Sequence, residues 1–155
     1  MVATYSGNRL EEIAKDLFEV VTQVCMTVPR GRRRNGDLKE IEFQTLAILQ
    51  ERGTMIVGDI QRLLGVLPAQ MSRIIRSLET RRGGLISCRI NPSDKRKIDV
   101  CITEQGEKAF HDYRAARVKR LAELLQDLTD EEQGQVIHLL DRIRGLLERQ
   151  PGGAS

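Results

Sequence analysis

Tryptophan is missing from this 155-residue chain, and its aromatic side chains are limited to three phenylalanines and two tyrosines. Leucine, isoleucine and valine must therefore build the core, as they do in helix-rich folds. No apolar run approaches the roughly 20 residues that a membrane-spanning helix needs, so no membrane role is expected. The opening residues, MVATYSGNRLEE, lack the charged-then-apolar pattern of an export signal. Three cysteines, Cys25, Cys88 and Cys101, give neither a metal-like spacing nor an even-numbered disulfide framework, which fits a reducing cytoplasm. The two histidines, His111 and His138, stand far apart without the Cys–His or carboxylate–His spacing of a metal centre. There is no P-loop, no GxGxxG and no nucleophile motif, so the sequence suggests no cofactor and no enzyme.

What the chain does have is an uneven charge. The net value is only +3. Residues 57–103, however, carry nine basic against four acidic side chains, whereas residues 1–56 balance at eight and eight. A positive surplus in the middle of the chain is the electrostatic footprint of a nucleic-acid site.

Apolar periodicity divides the chain into helices. Leu10, Ile13, Ala14, Leu17, Val20, Val21 and Val24 form one stripe over about 7–27, ended by Pro29. Then comes a loop with Arg30, Arg32, Arg33 and Arg34, readable as a phosphate contact, an anion-attracting site or a solvated basic linker. Asp37 and Glu40 have the spacing of a capping box, opening a second helix to about residue 51 with Leu38, Ile41, Thr45, Leu46, Ile48 and Leu49 inward. Gly53 ends it. MIVGDIQRLLG reads as a third helix with Val57, Ile60, Leu63 and Leu64 inward and Gly65 as its stop. Pro68 begins a fourth helix after a turn of three residues, which is helix-turn-helix spacing.

That fourth helix has two faces. Met71, Ile74, Ile75 and Leu78 recur at i, i+3, i+4 and i+7 and point inward. Ala69, Ser72, Arg73 and Arg76 lie opposite, with Gln70 and Ser77 on the flank. Small residues permit close approach to a DNA groove, and arginine forks onto guanine edges or phosphate. A hairpin follows. Ile86, Cys88 and Ile90 alternate with Leu85, Ser87 and Arg89, and Ile98, Val100 and Ile102 alternate with Lys97, Asp99 and Cys101. Cys88 and Cys101 therefore fall on opposite faces. The turn between the strands carries Lys95, Arg96 and Lys97 in a row, a cationic wing tip suited to phosphate or the minor groove.

Thr103 caps a fifth helix to about residue 126, with Phe110, Tyr113, Val118, Leu121, Leu124 and Leu125 apolar, and Thr129 with Glu132 forms a second capping box. The last helix aligns Val136, Leu139, Leu140, Ile143, Leu146 and Leu147. Three amphipathic helices exceed what one winged helix can cover, and a second copy of the chain is the economical partner. A two-fold homodimer would set two recognition helices about one turn of DNA apart. The expected division is 1–36 dimerisation helix and basic loop, 37–103 DNA-binding domain, 104–150 dimerisation helices, and 151–155 a disordered tail.

Two stretches resemble the MarR (multiple antibiotic resistance regulator) family. DKRKIDVCITEQG, residues 94–106, is similar to its wing-and-exit pattern: Asp-x-Arg, an alternating strand ending in Leu-Thr, and Gly three residues later, with Ile102 here in place of Leu. MSRIIRSLE resembles its recognition helix, with Ser72, Arg73, Leu78 and Glu79 in register. The order of elements agrees over nearly the whole chain. The resemblance implies a mainly α, winged helix-turn-helix fold that binds double-stranded DNA as a homodimer on a palindromic operator, mostly as a repressor. It also implies that a small anionic or phenolic ligand between the dimerisation helices and the winged domain releases the DNA. Arg96 would enter the minor groove, braced by Asp94, while Ser72, Arg73 and Arg76 face the major groove. The expected interface is thus Pro68, Ala69, Gln70, Ser72, Arg73, Arg76, Asp94, Lys95, Arg96 and Lys97. Leu67 departs from the family's Ser or Thr cap, and TRRGG adds two residues before the wing, which would lengthen the helix or re-aim the wing. Two other functions remain open: a winged-helix module for an acidic protein partner, and a repressor switched by oxidation of Cys25.

Overall fold

The computed structural model describes residues 4–27 and 37–149, with residues 4–8 in backbone only. The chain divides into two compact units, Met1–Arg117 and Val118–Ser155. In order the elements are α1 Thr4–Thr27, α2 Glu40–Arg52, β1 Met55–Ile56, α3 Val57–Leu64, α4 Pro68–Thr80, β2 Ile86–Ile90, β3 Ile98–Ile102, α5 Glu104–Leu125 and α6 Asp130–Glu148. This is the expected mainly helical winged helix-turn-helix. The stop at Pro29, the arginine loop 30–34 and the tail 151–155 fall outside the described residues.

The core of the first unit gathers Leu46 and Leu49 of α2, Ile60 of α3, Met71, Ile74 and Leu78 of α4, Leu85 and Ile86 at the wing entrance, Val100 of β3 and Phe110 of α5. Each fully buried aliphatic side chain of this kind contributes on the order of 2 kcal/mol. The inward stripe read from α4 is the stripe that is buried, with Ile75 only partly covered.

Four local expectations are corrected. Asp37 does not open α2: the N-cap position is Lys39, whose N–H donates to the Glu42 carboxylate at 2.8 Å. The acid at N3 satisfies an orphan donor, but it is Glu42 rather than Glu40. Met55 and Ile56 are not helical. They pair with Val100 and Asp99, making a three-stranded antiparallel sheet in the order β1-β3-β2. Leu63 is 40% exposed, because α3 is only eight residues long and turns Ile60 alone fully inward. The extra residues after Glu79 do not extend α4, which ends at Thr80. Gly83 and Gly84 take φ of 91° and 60°, a region open to glycine at little cost, and fold the insertion into a tight turn. The Gly84 N–H donates to the Arg81 carbonyl at 2.7 Å, and the Leu85 N–H returns to the Leu78 carbonyl at 2.9 Å.

Thr103 caps α5 as expected. Its Oγ accepts from the Gly106 N–H at 3.1 Å and donates to the Gly84 carbonyl at 2.6 Å, so the helix start and the wing entrance share one hydroxyl. In the second unit the capping box at the start of α6 is complete. Thr129 Oγ accepts from the Glu132 N–H at 3.3 Å and the Glu132 carboxylate accepts from the Thr129 N–H at 2.8 Å. The bonds that the Thr129 N–H and hydroxyl donate to it hold the Glu132 carboxyl below its ordinary range.

Candidate nucleic-acid interface

The buried side of α4 decides where the other side points. With Met71, Ile74 and Leu78 fixed in the core, Pro68, Ala69, Gln70, Ser72, Arg73 and Arg76 are all exposed. At the helix entrance Leu67 is 74% exposed and supplies no side-chain cap, as its chemistry dictates. The first-turn N–H groups are thus left with their positive end outward, which favours an anion such as phosphate.

The wing is a tightly bonded hairpin. Ile86 faces Ile102, Cys88 faces Val100 and Ile90 faces Ile98 on one side, while Ser87 faces Cys101 and Arg89 faces Asp99 on the other. The two cysteines sit on opposite faces, and no disulfide joins them. Asn91 builds the tip: its carbonyl oxygen accepts from the N–H groups of Ser93 and Asp94, both at 2.9 Å, and its amide donates to Asp99 at 2.8 Å. Asp94 then accepts from the Arg96 N–H at 3.1 Å and from Arg96 Nε at 3.2 Å, with Lys97 Nζ at 3.8 Å. The Arg96 bonds pull the Asp94 carboxyl below the usual aspartate range, so it stays ionised and keeps its hold on the tip. Even so braced, the Arg96 side chain is 91% exposed. Lys95 and Lys97 are exposed beside it.

Between α4 and the wing lies a cleft of about 750 Å³. Ser72, Arg76, Arg96 and Lys97 line it, so two helix residues and two wing residues of the expected interface meet there. Arg62 of α3 joins them, ion-paired to Asp59. The sequence counted Arg62 in the basic surplus but gave no reason to place it at this cleft. Cys88 lies on the floor, where burial, together with nearby Glu79, pushes its thiol pKa up and suppresses the thiolate.

Two polar clusters lie behind the interface, and neither was foreseen. Glu42 is buried and accepts from Ser77 Oγ at 2.6 Å and Arg81 at 2.5 Å. Glu40 accepts from the Tyr113 hydroxyl at 2.9 Å and pairs with Arg117, whose guanidinium stacks over the Tyr113 ring at 5.3 Å. Phe43 stacks against both Phe110 and Tyr113, with ring centroids 5.2 and 4.5 Å apart. Three of the few aromatic residues are therefore spent on one α2–α5 contact. Cys25 is exposed on α1, and the Tyr113 hydroxyl is already engaged by Glu40 and Arg117. His111 packs edge-on to Phe110, and no group of three or more potential ligands that could hold a metal ion is found among the described residues.

Residues 38–98, from just before α2 to the start of β3, match the MarR family model. The transcriptional repressor MdtR of Bacillus subtilis is 31% identical over 98 residues, 63% of this chain and 62% of its own length. The MarR family match thus covers the helix-turn-helix and the first strand and tip of the wing. An uncharacterised regulator of Mycobacterium bovis, Mb0904, is 27% identical over 90% of this chain and 95% of its own length. The matches to MdtR and to the B. subtilis regulator YdgJ span 62% and 64% of those proteins, less than two thirds of each. The fold is shared with a solved MarR family protein from Bacillus stearothermophilus, at TM-score 0.74 and 19% identity over 92% of this chain and 98% of the other. Tm0710 from Thermotoga maritima, a transcriptional regulator, gives 0.70 and 22% over 90% and 96%. No helix among the described residues is long and apolar enough to cross a membrane.

Proposed function

We propose that this chain is a cytoplasmic, sequence-specific transcription regulator of the MarR family, a ligand-responsive repressor that reads a palindromic operator as a homodimer. The observation that carries this is the α4–wing arrangement: an exposed face of small, polar and arginine side chains, joined by a cleft to a rigid tip with Arg96 outermost. Ser72, Arg73 and Arg76 read base edges in the major groove, with Pro68, Ala69 and Gln70 allowing close approach at the entrance. Lys95, Arg96 and Lys97 meet phosphate and the minor groove, and Asp94 holds Arg96 in place. The name of the similar MdtR, a repressor, supports repression over activation.

Binding to duplex DNA should weaken steeply with salt. Arg96→Ala is expected to weaken binding to every sequence and to lower the salt slope by about one. Arg73→Ala should cost about 1–3 kcal/mol and also relax preference at one base position. Titration of both variants against a selected duplex, at several salt concentrations, checks this. Binding like wild type in both would place the interface elsewhere.

Dimerisation is supported by exposed apolar side chains on α1 and α6. Leu10, Ile13, Leu17, Phe18, Val20 and Val21 of α1 are each about half exposed or more, and so are Ile137, Leu139, Leu140, Leu146 and Leu147 of α6. No residue of α6 is buried, which an isolated amphipathic helix would not tolerate. These faces of α1 and α6 support a dimer formed through the segments 1–36 and 104–150. Sedimentation should give twice the chain mass, and Leu139→Glu with Leu146→Glu should give a monomer. A dimer that survives both changes would remove α6 from the interface.

The effector reading is supported by the α2–α5 contact. Phe43, Phe110 and Tyr113 are stacked together there, and a small anion would compete with Glu40 for the partly exposed Arg117 beside them.

A further inference from the structure

Two acids stand two residues apart in the first turn of α2, and that spacing sets side chains about 200° apart around a helix. Glu42 turns toward α4. Its side chain is 2% exposed, and its carboxylate takes donors from Ser77, Arg81 and the Lys39 N–H. Glu40 turns toward α5, where it takes the Tyr113 hydroxyl and Arg117. Arg81 also donates to the Asp37 carbonyl at 3.2 Å, so the end of α4 is tied to the chain entering α2 as well. At its other end α4 has no side-chain cap. The polar contacts that set its direction are therefore concentrated at Ser77 and Arg81.

We propose that the first turn of α2 couples α5 to the recognition helix, with Glu42 positioning α4 through Ser77 and Arg81 while Glu40 holds the same turn to Tyr113 and Arg117. The inference rests on the DNA-reading role proposed above for α4. A buried carboxylate with three donors is satisfied in one arrangement only, and loss of any partner in low dielectric is costly. A shift of Arg117 against Glu40 therefore moves the turn as a unit, and Ser77 and Arg81 follow it. Neither carboxylate faces the outer side of α4, so both act as positioning residues without touching DNA.

The test uses the full chain, a duplex selected from a random library by the wild-type protein, and a scrambled duplex of equal length and composition. Glu42→Gln keeps the side-chain size and removes the charge. It is expected to lower the selected-to-scrambled affinity ratio about tenfold and to leave the salt slope unchanged, because no phosphate contact is lost. Ser77→Ala, a milder change, should lower the ratio about threefold. Arg117→Gln, on the far side of the turn, should speed amide exchange across residues 77–85. An unchanged ratio in Glu42→Gln and Ser77→Ala, or equal weakening on both duplexes, would leave Glu42 a stability element and overturn the positioning role. Exchange in 77–85 that ignores Arg117→Gln would overturn the coupling. A wild-type chain that selects no duplex would sink the DNA reading instead, and the exchange arm, which uses no DNA, would still decide the coupling.

Discussion

Gly106→Ala should lower the melting temperature by on the order of 10 °C. A β-carbon at this position would stand 2.0 Å from the Leu85 carbonyl oxygen, 3.0 Å from its carbon and 2.8 Å from Ile102 Cγ1. Two of those atoms are backbone, and they cannot swing aside as a side-chain tip would. The Leu85 carbonyl is also the acceptor for the Thr103 N–H at 3.1 Å, so moving it breaks the join between wing and α5. Forcing extra volume into a packed site costs about 1–3 kcal/mol, and a backbone clash belongs at the upper end. The gain of up to about 1 kcal/mol in helix propensity from alanine offsets only part of it. Gly134→Ala on α6 is the matched control, since its β-carbon would meet nothing within 4 Å. Thermal unfolding followed by circular dichroism should show the first variant falling and the second level or rising. A Gly106→Ala chain that melts with the wild type would mean that the α5 entrance has slack the close approach does not allow. The same contact explains Gly106 itself: the chain entering β2 passes against the first turn of α5, and no side chain fits between them.

Elements with a period were legible in the sequence. Met71, Ile74 and Leu78 mark a helix face without ambiguity, and the alternation in 86–90 and 98–102 marks the two strands of the hairpin and the opposite faces of Cys88 and Cys101. The capping threonines were legible too, because the hydroxyl-to-N–H bond is local. What escaped detection depends on distance along the chain. Met55 and Ile56 are too short for any alternation, and they become a strand only because β3 offers Val100 and Asp99 as partners. Glu40 reads as the capping-box partner of Asp37, and Glu42 carries no signal of its own. Their partners Ser77, Arg81, Tyr113 and Arg117 lie 35 to 77 residues away, and no spacing rule reaches that far. Of the candidate interface, the outward face of α4 and the exposed wing tip could be seen beforehand. The cleft that brings Arg62 between them could not, since it follows from how α3, α4 and the sheet pack around Ile60 and Val100.

Glu42→Leu should cost about 3–5 kcal/mol of stability, one of the largest losses any single change in this chain can produce. The substitution removes an acceptor shared by Ser77, Arg81 and the Lys39 N–H, and it leaves the Arg81 guanidinium, 19% exposed, against an apolar side chain. Most of the loss comes from desolvated donors deprived of this acceptor rather than from the attraction itself, because taking both ions out of water had already cost nearly as much as their pairing returns. It follows that Glu42→Leu with Arg81→Met should regain most of the loss, finishing within about 1–2 kcal/mol of the wild type. Urea unfolding with a common slope measures all members of the cycle. Additive losses in the double variant would mean that Glu42 and Arg81 act independently and that the short contact between them carries no coupling. The cycle also separates holding the fold from aiming the helix. With both charges replaced, the core is filled again, but Ser77 has lost its carboxylate partner and the far end of α4 has lost its tie through Glu42 to the first turn of α2. The double variant is therefore expected to unfold near the wild-type midpoint while still choosing poorly between a selected and a scrambled duplex.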